Sequence, residues 1–376
     1  MLSKRSTFGW KWKVHVEKEE LKMKKEARAV GMAASLGMAA WAVYSYMKMN
    51  KPIPPREDID AYARSLAEIV GQDYDSWREE IREEVLPVDG RELHLYFFDA
   101  QPEDPVVVMV PGMSMYAILY TELMSGLSRE GFNVVGYDPR GHGLSSGKRG
   151  SYTLGELVED ARAVIGHVVG IYGERVAVAG SSQGGMTAFY CAAAEPRLKA
   201  AVCHNLVAPD EPDNYRMTRW PGLYRMIMSL SPLMELPLVR LMLGELRIPI
   251  PAYLPVKAMA SRLIPDVGKF FREDPLLVTA VSLSALNSLA TTPLARKVEE
   301  IETPIMVIHS EKDEIFPEDY VRRVYDRLNC EKEFLYIPDC THFVTIDRVD
   351  GIIPPISRWL KKYMKEDNAH KIPQKG

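Results

Sequence analysis

The sequence predicts an α/β architecture, a mainly parallel sheet covered by helices on both faces and interrupted by one long helical insertion. Three observations carry this expectation. Apolar runs of four to six residues, Val106 to Val110, Phe132 to Tyr137, Val176 to Ala179, Ala200 to His204, Ile305 to His309 and Phe334 to Ile337, alternate with helical patterns. The stretch Val176 to Ala188, VAVAGSSQGGMTA, reads as strand, tight turn and helix. Between His204 and Ile305 the alternation stops: Pro221, Pro232, Pro237, Pro249, Pro251, Pro255 and Pro265 fall among short apolar helical pieces, in an interval too long for a plain loop.

Taken in order, the chain opens with a basic segment, residues 1–28, where nine Lys/Arg outweigh four Asp/Glu. The whole chain has a formal net charge of -4, so the remainder carries -9 and a nucleic-acid-binding body is excluded. Residues 29–47, AVGMAASLGMAAWAVYSYM, contain no charge. As a helix they would span about 28 Å, close to a bilayer core. Trp41, Tyr44 and Tyr46 suit an interfacial belt, and the basic flank would stay on the cytoplasmic side. The expectation is a single-pass N-terminal anchor and a membrane-associated protein. A cleaved signal and a helix packed on the body or a partner are the alternatives.

Lys51-Pro52-Ile53-Pro54-Pro55 is a stiff break, and Glu57 to Glu84 reads as an acidic amphipathic helical stretch, so residues 48–85 form a linker and helix. Leu86 to Asp99 alternates around Asp89-Gly90, a hairpin signal that opens the catalytic core. The core is expected over residues 86–205 and 295–364, with a cap at 206–294 and a tail at 365–376. The four cysteines make no disulfide framework. Cys330 and Cys340 flank a predicted strand that would hold them about 30 Å apart, and Cys191 and Cys203 read as buried thiols. No Cys/His spacing suggests zinc, and neither metal nor organic cofactor is expected.

The chemistry centres on Gly180-Ser181-Ser182-Gln183-Gly184, a G-x-S-x-G pattern after a strand and before a helix. It places Ser182 at the apex of a nucleophile elbow, where glycines let strand and helix approach. A serine hydroxyl needs a base to take its proton, and the base needs a carboxylate to fix its tautomer. Asp313, in the loop after the strand Ile305 to His309, and His342, after Phe334 to Ile337, supply both in the order Ser, Asp, His. Asp138, His142, His204 and His309 read as structural, the last two as satisfied core histidines, and Asp319 and Asp326 as solvated.

With Val110-Pro111-Gly112-Met113, Tyr137 to Ser145 (YDPRGHGLS) and His309 to Pro317 added, the sequence resembles the α/β-hydrolase superfamily, within it the monoacylglycerol lipase and lysophospholipase-like serine hydrolases. The resemblance covers about Leu86 to Leu360. It implies an α/β-hydrolase fold, and backbone N–H donors from Met113 and Gln183 for the oxyanion. Two positions depart from the pattern: Pro111-Gly112 stands where these lipases have His-Gly, and Ser181 where they have His or Tyr. Neither change removes a backbone donor or the nucleophile.

The expected activity is hydrolysis of acyl esters of lipid-like substrates through an acyl-enzyme. A short-chain esterase, thioesterase, acyltransferase or aminopeptidase of the same fold is the alternative, as is a membrane-tethered binding protein without activity. Between Trp220 and Ile264 the apolar residues, including Leu223, Met226, Leu236, Leu238, Met242 and Leu243, exceed what one helix face buries. Some of that surface is expected to face a cavity for alkyl chains. Burial as the core of the cap and contact with a membrane are the other readings.

Overall fold

A computed structural model describes residues 53–69 and 73–364, apart from 223–224, 226–231, 233–235, 239–242, 257–258, 260 and 263. The expected anchor at 29–47 lies outside the described residues, as do Leu223, Met226 and Met242. Among the described residues no helix is long and apolar enough to cross a membrane.

Two helices open the described chain, α1 (Arg56–Ile69) and α2 (Tyr74–Glu80), the second capped by the Asp73 carboxylate on the Asp75 N–H at 3.0 Å. They correct the continuous helical stretch expected over Glu57 to Glu84. Strand β1 (Arg82–Val88) already begins at Arg82 and pairs along its whole length with β2 (Arg91–Phe98). The ladder overrides the helical pattern because the same acidic residues find partners beside the sheet: Glu83 receives both guanidinium arms of Arg56, at 2.9 and 2.7 Å. The hairpin turns at Asp89 and Gly90, φ 48° and 76°, the two left-handed positions that an Asp-Gly turn provides.

The remaining core elements follow as β3 (Val106–Val110), α3 (Thr121–Arg129), β4 (Asn133–Tyr137), α4 (Leu154–Tyr172), β5 (Val176–Gly180), α5 (Gln183–Ala194) and β6 (Leu198–His204). After the insertion come β9 (Ile305–Lys312), α8 (Glu318–Arg327), β10 (Lys332–Thr341) and α9 (Val349–Tyr363). They form one eight-stranded sheet in the order β1-β2-β4-β3-β5-β6-β9-β10. Pairings are antiparallel from β1 to β4 and parallel from β4 to β10. Every residue of β3, β4 and β5 is buried, which is why these strands read as unbroken apolar runs rather than alternating ones. Burying each of Leu95 and Phe97 on β2 is worth roughly 1.5–3 kcal/mol.

The long α4 starts on a capping box, in which Thr153 accepts from the Glu156 N–H and Glu156 from the Thr153 N–H. The four cysteines are free thiols. The segment between β6 and β9 contributes no strand to the large sheet. It holds helices α6 (Val267–Glu273) and α7 (Leu283–Thr291) and an antiparallel pair of three-residue strands, β7 (Arg247–Pro249) and β8 (Ala280–Ser282). These strands are absent from the sequence expectation, since three residues, one of them proline, establish no period.

Candidate active site

The parallel strands β3, β5, β6, β9 and β10 are consecutive in the sheet, and their carboxyl ends deliver five loops to one edge. In spatial order these strand ends and loops carry Met113, Ser182, the pair His204-Asn205, Asp313 and His342.

Ser182 is the second residue of the two-residue step between β5 and α5, at φ 55°, ψ −118°, a left-handed conformation that a side-chain-bearing residue adopts only when its surroundings enforce it. Enforcement comes from backbone pressed on backbone. A Cβ on Gly180 would stand 2.0 Å from the Gly184 carbonyl oxygen, and one on Gly184 would stand 2.1 Å from that of Val110. The helix thus starts directly behind the serine.

The oxyanion loop is held just as closely. Gly112 donates its N–H to the Tyr120 hydroxyl at 3.0 Å, and a Cβ there would come within 3.4 Å of Ser182 Cβ. Among the described residues, the N–H groups of Met113 and Gln183 make no backbone hydrogen bond. Gln183 is the first residue of α5, where helical N–H groups lack internal acceptors and carry partial positive charge. Its side chain is turned aside onto the Tyr152 hydroxyl at 3.0 Å. The same loop is tied to the insertion: Val278 N–H donates to the Ser114 carbonyl at 3.1 Å, and the Tyr116 hydroxyl donates to Asp274 Oδ2 at 2.9 Å.

Asp313 is a fully buried carboxylate. One oxygen accepts the N–H groups of Ile315 and Phe316 at 2.9 and 2.8 Å, the other the Asn205 side-chain amide and His342 Nδ1, both at 2.9 Å. Burial pushes its pKa up, but the imidazoles of His342 and His204 outweigh burial and hold it well below the usual carboxylate range. With Nδ1 donating, His342 keeps the Nε2 lone pair free. The ring stacks on Phe316 at 5.6 Å between centroids, and it borders the same cavity as Ser182. The structure therefore brings together all five residues singled out in the sequence.

Two residues of the site are not anticipated by the sequence reading, His204 and Asn205. His309 is the hydrogen-bonded core histidine expected, its Nδ1 2.7 Å from Asn205 Oδ1. His204 departs from the expectation of a satisfied core residue: its ring lies tilted beside that of His342, 4.9 Å between centroids, and its Nε2 has no hydrogen-bond partner. The reason is topological, because β6 lies between the elbow's strand and the acid's. A polar His-Asn pair ending an apolar strand next to the elbow is the available signal.

His204, Asp313 and His342 place ligand-type atoms within 4.8 Å of one another. They do not suit a metal ion, because His204 Nδ1 faces the Ser182 N–H at 3.3 Å. A neutral ring accepting there carries its proton on Nε2 and has no lone pair to offer the cluster. Asp138 is structural as expected, accepting the N–H groups of Ala117 and Leu144 at 2.7 and 2.8 Å and the Tyr96 hydroxyl at 3.1 Å.

Two cavities of about 50 and about 40 Å3 meet at Met113, Ser182, Leu254 and Ile315. Each is several times the ~10–15 Å3 needed to admit one water. One extends past Met186, Met217 and Leu289, the other past Met259, Phe270 and Phe343. Leu236, Leu238 and Leu243, part of the apolar stretch of which some was expected to face such a cavity, are exposed.

Residues 101–348, more than half of the chain, match the family described as serine aminopeptidase, S33. The chain belongs to this family. It is a serine hydrolase of the α/β-hydrolase fold. It is similar to a monoacylglycerol lipase of Mycolicibacterium smegmatis, with 27% identity over 268 residues that cover 69% of this chain and 89% of that protein. Among solved structures it shares its fold with a Paleococcus ferrophilus monoacylglycerol lipase, at 23% identity and a TM-score of 0.58 over 72% of this chain and 99% of that one. A soluble variant of the Saccharomyces cerevisiae monoglyceride lipase, in complex with a substrate analogue, superposes with a TM-score of 0.59 at 16% identity, covering 75% and 96%.

Proposed function

We propose that this family member hydrolyses acyl esters of lipid-like alcohols, monoacylglycerols or lysolipids, through an acyl-enzyme on Ser182. The Ser182 hydroxyl attacks the ester carbonyl as His342 Nε2 takes its proton. The N–H groups of Met113 and Gln183 receive the oxyanion. Asp313, held ionised, stabilises the imidazolium that forms. His342 then protonates the departing alcohol, and a water activated by the same ring releases the fatty acid.

The lining of the cavities carries the choice of substrate. Among the described residues around Ser182 it includes no Asp, Glu, Lys or Arg. An aminopeptidase must receive a charged substrate ammonium, and burying that charge without a carboxylate is costly. Alkyl chains need only apolar walls, and Met113, Met115, Met186, Met217 and Met259 can shift to lengthen the space.

Each methylene buried is worth about 0.8 kcal/mol, about fourfold in rate. Across esters of graded length kcat/KM is expected to climb at up to that slope from acetyl, then level off once the pocket is full, with aminoacyl anilides poor throughout. A preference for acetyl esters declining beyond butyryl, or for the anilides, would reject lipid specificity and leave a small-ester hydrolase or a peptidase.

We also propose that residues 29–47 anchor the enzyme to the membrane holding its substrate. The uncharged length and the basic flank support this. The full chain is then expected to sediment with membranes and to resist high salt and alkaline extraction, while a chain starting near Pro52 is soluble and active. Complete release by salt would point to a peripheral helix instead.

A further inference from the structure

We propose that His204 is a positioning residue for the Ser182 reaction, holding the nucleophile's backbone with one ring nitrogen and polarising the acid with the other. This rests on the assignment of Ser182 as nucleophile. His204 is the last residue of β6, and its side chain is fully buried between the elbow and the acid loop. Nδ1 lies 3.3 Å from the Ser182 backbone nitrogen and 3.4 Å from Ser181 Oγ. A backbone N–H only donates, so Nδ1 bears the lone pair and, in a neutral ring, Nε2 bears the proton. Burial brings the His204 pKa down to about 4, which keeps the ring neutral at ordinary pH.

That Nε2–H lies 3.7 Å from Asp313 Oδ2 and has no hydrogen-bond partner. The separation exceeds a hydrogen bond, but in a buried site an N–H dipole still acts on a carboxylate at that range. Gly185 brings the ring's own strand into place, since a Cβ there would stand 2.2 Å from the His204 carbonyl oxygen.

Two consequences follow for the reaction. The bond to the Ser182 N–H helps hold the left-handed backbone that presents the hydroxyl. The dipole toward Asp313 lessens the negative charge that Asp313 offers to His342, so the imidazolium formed in the reaction is stabilised less than beside an unopposed carboxylate. The ionisable groups facing this cluster among the described residues are Asp313 and Glu314 from the loop after β9, His309 within β9, and His342 from the loop after β10.

The test is steady-state kinetics of H204F, H204N and H204Q, expressed per active site titrated with a fluorophosphonate so that misfolded protein does not count. H204F retains the ring volume and neither polar contact. Its kcat is expected to fall on the order of tenfold, the rate equivalent of about one lost hydrogen bond, with KM nearly unchanged. Its acid limb of kcat/KM is expected to move to higher pH. Asn can place an oxygen near the Nδ1 position and Gln an amide near Nε2. H204N should therefore recover kcat without the acid limb, and H204Q the acid limb without kcat. A wild-type acid limb and kcat in H204F would overturn the proposal. If H204F does not fold, identical profiles for H204N and H204Q would overturn it. Turnover surviving in S182A would instead remove the underlying assignment, whatever the His204 variants do.

Discussion

Replacement of Ser182 by alanine is expected to abolish turnover and fluorophosphonate labelling together while leaving the protein folded. The loss should be on the order of 10⁶ in kcat, as for removal of the nucleophile from a serine triad, with a small residue from substrate binding and the oxyanion donors. Stability should change little. The hydroxyl of Ser182 caps nothing in α5, and alanine at φ 55° bears much the same strain as serine. A thermal melt close to wild type would show that the elbow persists. The informative control is S181A, because Ser181 Oγ bonds Thr345 Oγ1 at 2.8 Å and lies beside His204. Labelling that survives in S182A but disappears in S181A would move the nucleophile by one residue.

The second large effect is expected at the acid. Asp313 accepts four hydrogen bonds on two oxygens, two from backbone N–H groups and two from Asn205 and His342. Asparagine has one acceptor and one donor in the same space, so either orientation sets its amide hydrogens against two existing donors. If the amide faces His342, the ring must turn its lone pair to Nδ1, and Nε2 becomes a donor that cannot take the serine proton. By this tautomer argument D313N should lose about 10⁴-fold in kcat. It should also lose about 1–3 kcal/mol of stability through buried unpaired donors. KM is expected to stay within a few-fold, because neither cavity is bordered by Asp313. A kcat within tenfold of wild type, with Glu314→Gln causing the greater loss, would assign the acid to the neighbouring carboxylate.

Ser182 and Asp313 are legible in the sequence because their chemistry is local. A Gly-flanked serine between strand and helix, and polar residues just past apolar runs, are patterns of adjacent positions. The central strands are legible for the same reason, since burial on both faces leaves unbroken runs of valine, isoleucine and methionine at 106–110 and 305–308. What escapes depends on spatial neighbours. His204 and Asn205 matter because β6 lies between β5 and β9, an order that no local pattern encodes. Arg82 to Glu84 look helical until β2 is available to pair with them. The cavity walls are hard to assign because the leucines at 236, 238 and 243 are as apolar as Leu254 and Leu289, and only packing separates exposed from lining positions.

The bonds from Val278 to Ser114 and from Tyr116 to Asp274 tie the insertion to the loop that carries Met113. The Arg149 guanidinium, in the loop between β4 and α4, bonds the Leu276 carbonyl and ties the insertion to a second core loop. The wall that selects a substrate and the loop that meets its transition state therefore share one rigid seam. Mutational drift along that seam changes what enters and how fast it reacts in the same step, so it offers little independent variation for selection to sort. Divergence toward new acyl groups has freer ground at positions that line the cavities without touching the seam, such as Met217 and Met259. A lineage exploring new substrates would be expected to vary there first and to leave Asp274, Val278 and Tyr116 in place.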